Sequence, residues 1–119
     1  MVRSDKEKFG ALVRRKREAK EIGLREMAKK IGVSPTYLSK VERDEFSPPT
    51  EDKVRKIAVI LSLDADELLA RAGRVASDLT EIIRRQPREA ASFLRSTAGR
   101  LTADQWRELM EKTQKTKNQ

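Results

Sequence analysis

The sequence predicts an all-α protein, and three observations carry that expectation. Apolar residues recur at i, i+3 and i+4 through most of the chain, as in Val54, Ile57, Ala58 and Leu61. The 119 residues are 37% hydrophobic but only 4% aromatic, so the core must be built from Leu, Ile, Val and Ala, which suits helices packed on helices. Ser, Thr, Pro and Gly stand where those helices would start and stop.

The charged fraction of 39% is high, yet the apolar period persists through it, so the charges read as a solvated helical surface and not as disorder. This length allows one domain, or a small domain with an appendage. A net charge of +8 and a pI near 10.0 favour a polyanionic partner, and the excess is shared evenly between residues 1–72 and 73–119. The chain has no Cys and no His, which removes disulfides, thiol nucleophiles, zinc-finger sites and imidazole acid–base chemistry. No metal or other cofactor is expected. No apolar run approaches the roughly 18 residues of a membrane span, and the opening MVRSDKEKFG lacks a signal-peptide core, so the expected location is cytoplasmic.

Taken in order, Ser4-Asp5-Lys6-Glu7 fits a capping box, with Ser4 at N-cap and Glu7 at N3. The helix after it runs to about Lys20 with Phe9, Leu12 and Val13 on its apolar side, and its distal half, Arg14 to Arg17, is dense in cations. Glu21-Ile22-Gly23 links to a second helix whose Met27, Ala28 and Ile31 share a face. Gly32 then suits a left-handed turn, Ser34 an N-cap and Pro35 the first position of a third helix, whose apolar face is Leu38 and Val41. The small Ala28 lets two steeply crossing helices approach, and Gly32 supplies the positive φ that so short a turn needs. Pro35, Thr36, Ser39 and Lys40 face outward from the third helix. That is the layout of a helix-turn-helix DNA reader, although most αα-hairpins share its glycine and facing apolar sides and read nothing.

Residues 43–50 form a loop with two prolines that no helix interior would accept. Thr50 caps a fourth helix, Glu51 to about Leu61, and Ser62-Leu63-Asp64 turns into a fifth, Ala65–Ala72, closed by Leu68 and Leu69. Asp64, Asp66 and Glu67 fit as favourable charge at the start of that fifth helix and not as a catalytic group.

The run from Glu26 to Arg43, EMAKKIGVSPTYLSKVER, resembles the helix-turn-helix of the Cro/C1-type (XRE) bacterial and phage repressors, and the likeness extends over about residues 7–72. The resemblance implies a five-helix lambda-repressor-like DNA-binding domain over residues 1–73. It places Pro35, Thr36, Ser39 and Lys40 against base edges, with Lys40 donating to guanine, the Thr36 methyl meeting a thymine methyl and Ser39 bonding to several bases. None is a bidentate Arg or Gln, so specificity per contact is modest and leaves more to water and DNA shape. Backbone phosphates are expected at Arg14, Arg15, Ser34 and Arg43. Free N–H groups at the start of the reading helix suit the anion beside Ser34. Tyr37 is either a core residue with a surface hydroxyl or a phosphate contact. Arg17 is expected to pair with Glu42 and fix the first helix against the third. With Ala28, Gly32 and Leu38, these two residues form the structural frame of the motif. The chain departs from the family at Gly23 and Leu24, where Ser or Thr and then Gln are usual, so a phosphate clamp is lost. It departs again at Asp44, where Gly is usual and a basic residue follows. Here Asp44 and Glu45 would repel phosphate if they faced it.

The resemblance stops at Gly73, and residues 74–119 still read as about three helices. Ser77 or Asp78 would cap one carrying Leu79, Ile82 and Ile83. Pro87 would start another with Ala90, Phe93, Leu94 and Thr97, stopped by Gly99. Thr102-Ala103-Asp104-Gln105 would cap a third with Trp106, Leu109, Met110 and Thr113, and its polar tail from Lys112 would fray. Three such helices cannot easily bury those faces alone. Leu79, Ile82, Phe93, Leu94, Trp106, Leu109 and Met110 are therefore expected at a dimer interface, with an ordinary core of the appendage as the alternative.

The function that fits is a sequence-specific transcriptional regulator. It would be a homodimeric repressor of its own or a neighbouring operon of phage or mobile-element type, on a palindromic double-stranded operator. The alternative is an antitoxin-type interaction protein that autoregulates its operon and binds a partner protein through the C-terminal helices, or a repressor whose C-terminal segment meets a protease. An enzyme fits poorly, since there is no Gly-rich phosphate loop and no metal-ligand spacing.

Overall fold

A computed structural model describes residues 7–117. Among them are eight helices: α1 Phe9–Ala19, α2 Leu24–Ile31, α3 Pro35–Glu42, α4 Glu51–Leu61, α5 Ala65–Arg71, α6 Ser77–Arg85, α7 Pro87–Thr97 and α8 Ala103–Lys117. The chain divides into two compact units with the break between Ser77 and Asp78, four residues beyond the Gly73 expected. No helix among the described residues is long and apolar enough to cross a membrane.

In the first unit α3 packs on α1 and α2, and α4 packs on α1, α2 and α5. Every helix contributes the face that its spacing marks: Phe9 and Val13; Met27, Ala28 and Ile31; Leu38 and Val41; Val54, Ile57, Ala58 and Leu61; Leu68 and Leu69. Leu12 packs against this core from its margin. The core continues past α5. Gly73 turns the chain at φ 74°, Arg74 donates to the Pro48 carbonyl, Ala76 is buried, and the Ser77 amide donates to Glu51. These contacts carry the unit to Ser77.

Helix ends follow local chemistry with a few exceptions. Gly32 closes α2 in the left-handed region at φ 79°, and the Ser34 hydroxyl accepts from the Tyr37 amide at 3.0 Å with Pro35 at N1. Asp64 caps α5 by accepting from the Glu67 amide. Thr50 holds the N-cap position of α4, but its side chain makes no cap bond. Ser77 is the first residue of α6, not its cap, because Glu51 takes its amide and hydroxyl. The expected cap at Ser4 lies outside the described residues. Glu7 is not at N3, since α1 begins at Phe9 after Lys8, and its carboxylate instead accepts from two nitrogens of Arg15.

What closes the start of α1 comes from far along the chain. Asp44 sits in the left-handed region at φ 59° and accepts from the Gly10 amide at 2.9 Å. A Cβ on Gly10 would lie 2.1 Å from the Val41 carbonyl oxygen and 2.7 Å from the Asp44 carboxylate, so only glycine lets α1 meet the end of α3 this closely. Farther along the same contact, Arg17 and Glu42 form a buried bidentate pair at 2.8 and 2.9 Å, and a third Arg17 nitrogen donates to the Ile22 carbonyl. Hydrogen bonding to Glu42 raises the Arg17 pKa against the opposing effect of burial.

The second unit is built differently. Pro87 starts α7, and a reciprocal capping box between Thr102 and Gln105 starts α8, which spans Ala103–Lys117. The Phe93 and Trp106 rings meet edge to face at 6.0 Å, so α7 and α8 touch. No described residue from 78 to 115 is buried. Leu79, Ile82, Phe93, Leu94, Trp106 and Met110 expose between 41% and 60% of their surface, and Leu109 is half-buried.

Three outcomes check the packing of α1 on α3. Glu42→Ala is expected to lower unfolding free energy by about 3–5 kcal/mol in urea, because it strands a buried guanidinium. Joint replacement by Arg17→Met and Glu42→Leu should lower it less than either single truncation. Gly10→Ala is expected to destabilise by about 1–3 kcal/mol although alanine is the better helix former. A Gly10→Ala protein as stable as wild type would mean the two backbones can separate freely.

Candidate nucleic-acid interface

The reading helix α3 is presented by the α2–α3 hairpin, and fully buried Ala28 lies on the α2 face against the core. An open cleft of about 500 Å³ runs between the start of α2 and the outer face of α3, lined by Gly23, Leu24, Arg25, Glu26, Pro35, Thr36, Ser39 and Arg43. A second concavity of about 300 Å³ shares Leu24, Ser39 and Arg43 with it and reaches Arg14 on α1 beside the Arg17–Glu42 pair. The structure therefore brings Pro35, Thr36, Ser39, Arg43 and Arg14 onto one continuous surface. Leu24 fills the floor where the family's glutamine would stand, and a leucine offers an anion nothing.

The cations along this surface are loosely held. Arg14 meets Glu18 at 3.4 Å and Arg43 meets Glu45 at 3.3 Å, each pair about half exposed. Such pairs are worth only about 0.2–1 kcal/mol, so a phosphate can displace the carboxylate at little cost. The Asp44 carboxylate accepts from the Gly10 amide.

Arg15 stands apart from the other candidates. One residue on from Arg14, it turns about 100° around α1 and lines a different concavity with Leu12, Lys16, Leu63, Asp64, Glu67, Leu68 and Arg71. Glu7 binds it bidentately at 2.8 and 2.9 Å, and those hydrogen bonds raise its pKa. Tyr37 and Lys40 lie on the next face of α3, towards the loop. The Tyr37 ring is 5.8 Å from that of Phe46, and the Lys40 ammonium lies 5.1 Å from the Phe46 centroid. Tyr37 is half-buried and packs against the margin of the core.

Two residues escaped sequence reasoning. Arg25 lines the main cleft at the first turn of α2, and its position just after the Gly23 N-cap was a usable signal. Phe46 carried none, since a lone aromatic in a Pro-rich loop has no periodicity to place it. Among the described residues no group of three or more His, Cys, Asp or Glu is placed to hold a metal ion.

Comparison with known proteins finds relatives of the first unit. The family profile described as helix-turn-helix matches residues 13–68. A 10 kDa protein of the ImmF control region of Bacillus phage phi105 is 41% identical over 64 residues, covering 54% of this chain and 70% of the phage protein. An uncharacterised helix-turn-helix transcriptional regulator of Mycobacterium tuberculosis is 36% identical over 75 residues, covering 63% of this chain and 53% of that protein. Among solved structures, the biofilm regulator SinR in complex with DNA aligns at TM-score 0.47 and 31% identity, over 51% of this chain and 97% of that one. The chain thus belongs to the Cro/C1-type helix-turn-helix family of DNA-binding transcription regulators.

Proposed function

We propose that this chain is a sequence-specific repressor that binds a palindromic operator as a homodimer. The continuous surface from Thr36 through Ser39 and Arg43 to Arg14 is the observation that carries the reading, because it joins candidate base-facing groups to flanking cations. Lys40 would donate to guanine, Thr36 would meet a thymine methyl, and Ser39 and Pro35 would complete the base contacts. Phosphates would be taken by Arg14, Arg25 and Arg43, by Tyr37, and by the amides at the start of α3 beside Ser34. Arg15 moves from that set to a brace on Glu7. The phage relative, named for a control region, supports a target in its own or a neighbouring operon.

The second unit supports dimerisation. It leaves a set of large apolar side chains half exposed on three helices, and Phe93 with Trp106 is the kind of aromatic pair that anchors interfaces. Two reading helices about 34 Å apart would meet successive major grooves on one face of the duplex.

The test is binding of the full chain to duplexes enriched from a randomised pool and to a scrambled duplex, at two salt concentrations. Arg14→Ala is expected to weaken both and to lower the salt slope by about 1, whereas Arg15→Ala leaves both unchanged. Lys40→Ala should instead lose about 1–3 kcal/mol of discrimination at one base pair of each half-site. Equal effects of Arg14→Ala and Arg15→Ala would refute the proposed surface. For the dimer, Ile82→Glu with Met110→Glu is expected to sediment as a monomer and to bind operator about 10²–10⁴-fold more weakly. A double variant that remains dimeric would move the interface elsewhere.

A further inference from the structure

We infer that Phe46, outside the reading helix, sets the specificity of Lys40 by holding its ammonium over the ring, an inference that rests on the DNA-reading function proposed above. Lys40 is the one charged group among the four residues proposed to face bases, and a lysine is a point charge on a flexible stem. Where that ammonium stands decides which base pair it reads. Among the described residues no carboxylate pairs with it, and neighbouring Glu45 is engaged by Arg43. The contact that orients Lys40 is the Phe46 ring, 5.1 Å from Nζ.

The loop that carries the ring is held at several points, and one neighbour packs on the ring itself. The Glu45 and Phe46 amides both donate to the Lys40 carbonyl, at 2.9 and 3.3 Å, so the loop is folded onto the residue whose side chain it orients. Tyr37, one turn earlier on α3, supports the ring at 5.8 Å. Asp44 anchors the loop to Gly10, Arg74 holds the Pro48 carbonyl, and Pro49 is buried. Phe46 is 44% exposed, so it adds little to the core, and its ring is open to the same solvent as the cation.

The chemistry favours a ring over a carboxylate here. A carboxylate would orient the ammonium but cancel its charge and occupy its N–H donors. An aromatic face attracts the cation through its quadrupole and leaves the charge and the donors for DNA. Phe46 is therefore a positioning residue that acts through Lys40 and makes no base contact of its own.

The experiment uses the full chain, wild type and the variants Phe46→Leu, Phe46→Tyr, Lys40→Ala and Lys40→Ala/Phe46→Leu. Each is measured against single-base variants of a duplex enriched by the wild type, with thermal melting alongside. Phe46→Leu is expected to lose about three- to fivefold of the discrimination at the base pair that Lys40→Ala also affects, with an unchanged melting curve. Phe46→Tyr keeps a ring and should keep the preference. In the Lys40→Ala background, Phe46→Leu should add nothing, which a double-mutant cycle reads directly. Additive losses, or a loss at a different base pair, would show Phe46 touching DNA itself and overturn the inference. A DNA-free measurement separates this from failure of the functional reading. The Lys40 ε-methylene proton resonances should be shifted upfield by the ring in wild type and Phe46→Tyr, and not in Phe46→Leu. Absence of that shift in a protein that still selects a duplex overturns the inference alone. Failure to enrich any duplex overturns both.

Discussion

A buried guanidinium–carboxylate pair ties the first helix to the third, and the interface depends on it. Arg17 and Glu42 meet through two hydrogen bonds, and the third bond, to the Ile22 carbonyl, fixes the link between α1 and α2. Taking two charges out of water is expensive, so such a pair is weak evidence for stability. Its consequence here is geometric. A planar fork on a carboxylate tolerates little sliding, and Gly10 removes the side chain that would otherwise hold the backbones apart. With α1 held in that register, Arg14 comes to lie beside Ser39 and Arg43, and Arg15 lines a different concavity.

This geometry also bears on the net charge. The excess of +8 reads as a general affinity for polyanions, yet the cations are not equivalent. Arg17 is consumed by the core, Arg15 by Glu7, and Arg74 donates to the Pro48 carbonyl. Among the described residues Arg14 and Arg43 have exposed partners, and both border α3. An exposed cation beside a reading helix is worth more to DNA than a larger charge spread evenly, because screening leaves only short-range contacts effective.

The two units treat their apolar residues in opposite ways. In the first, the stripes of five helices close on one another and leave a sealed core. In the second, three helices carry similar stripes, and no described residue from 78 to 115 is buried. About forty residues have too much surface for their volume to bury such faces internally.

Helix order, most helix ends and the buried faces were legible in the sequence because they depend on neighbours three or four residues away. Gly32, Ser34 and Pro35 punctuate the hairpin by local backbone chemistry, and Leu38 and Val41 mark the inner side of α3 by period alone. The resemblance added the Arg17–Glu42 pair, which no local rule would have found. Tertiary structure decided what spacing cannot reach. Adjacent arginines look alike in sequence, and only the register of α1 on α3 separates Arg14 from Arg15. Asp44 read as an obstacle to phosphate and proved to be the cap of a helix 34 residues earlier. Phe46 read as an unremarked loop residue, and its place under Lys40 follows from a loop anchored at Gly10, Arg74 and the Lys40 carbonyl. The sequence by itself determined which segments are helical and which of their faces are apolar, since those are short-range properties. Which exposed charges share a surface was decided only when non-local contacts set one helix against another.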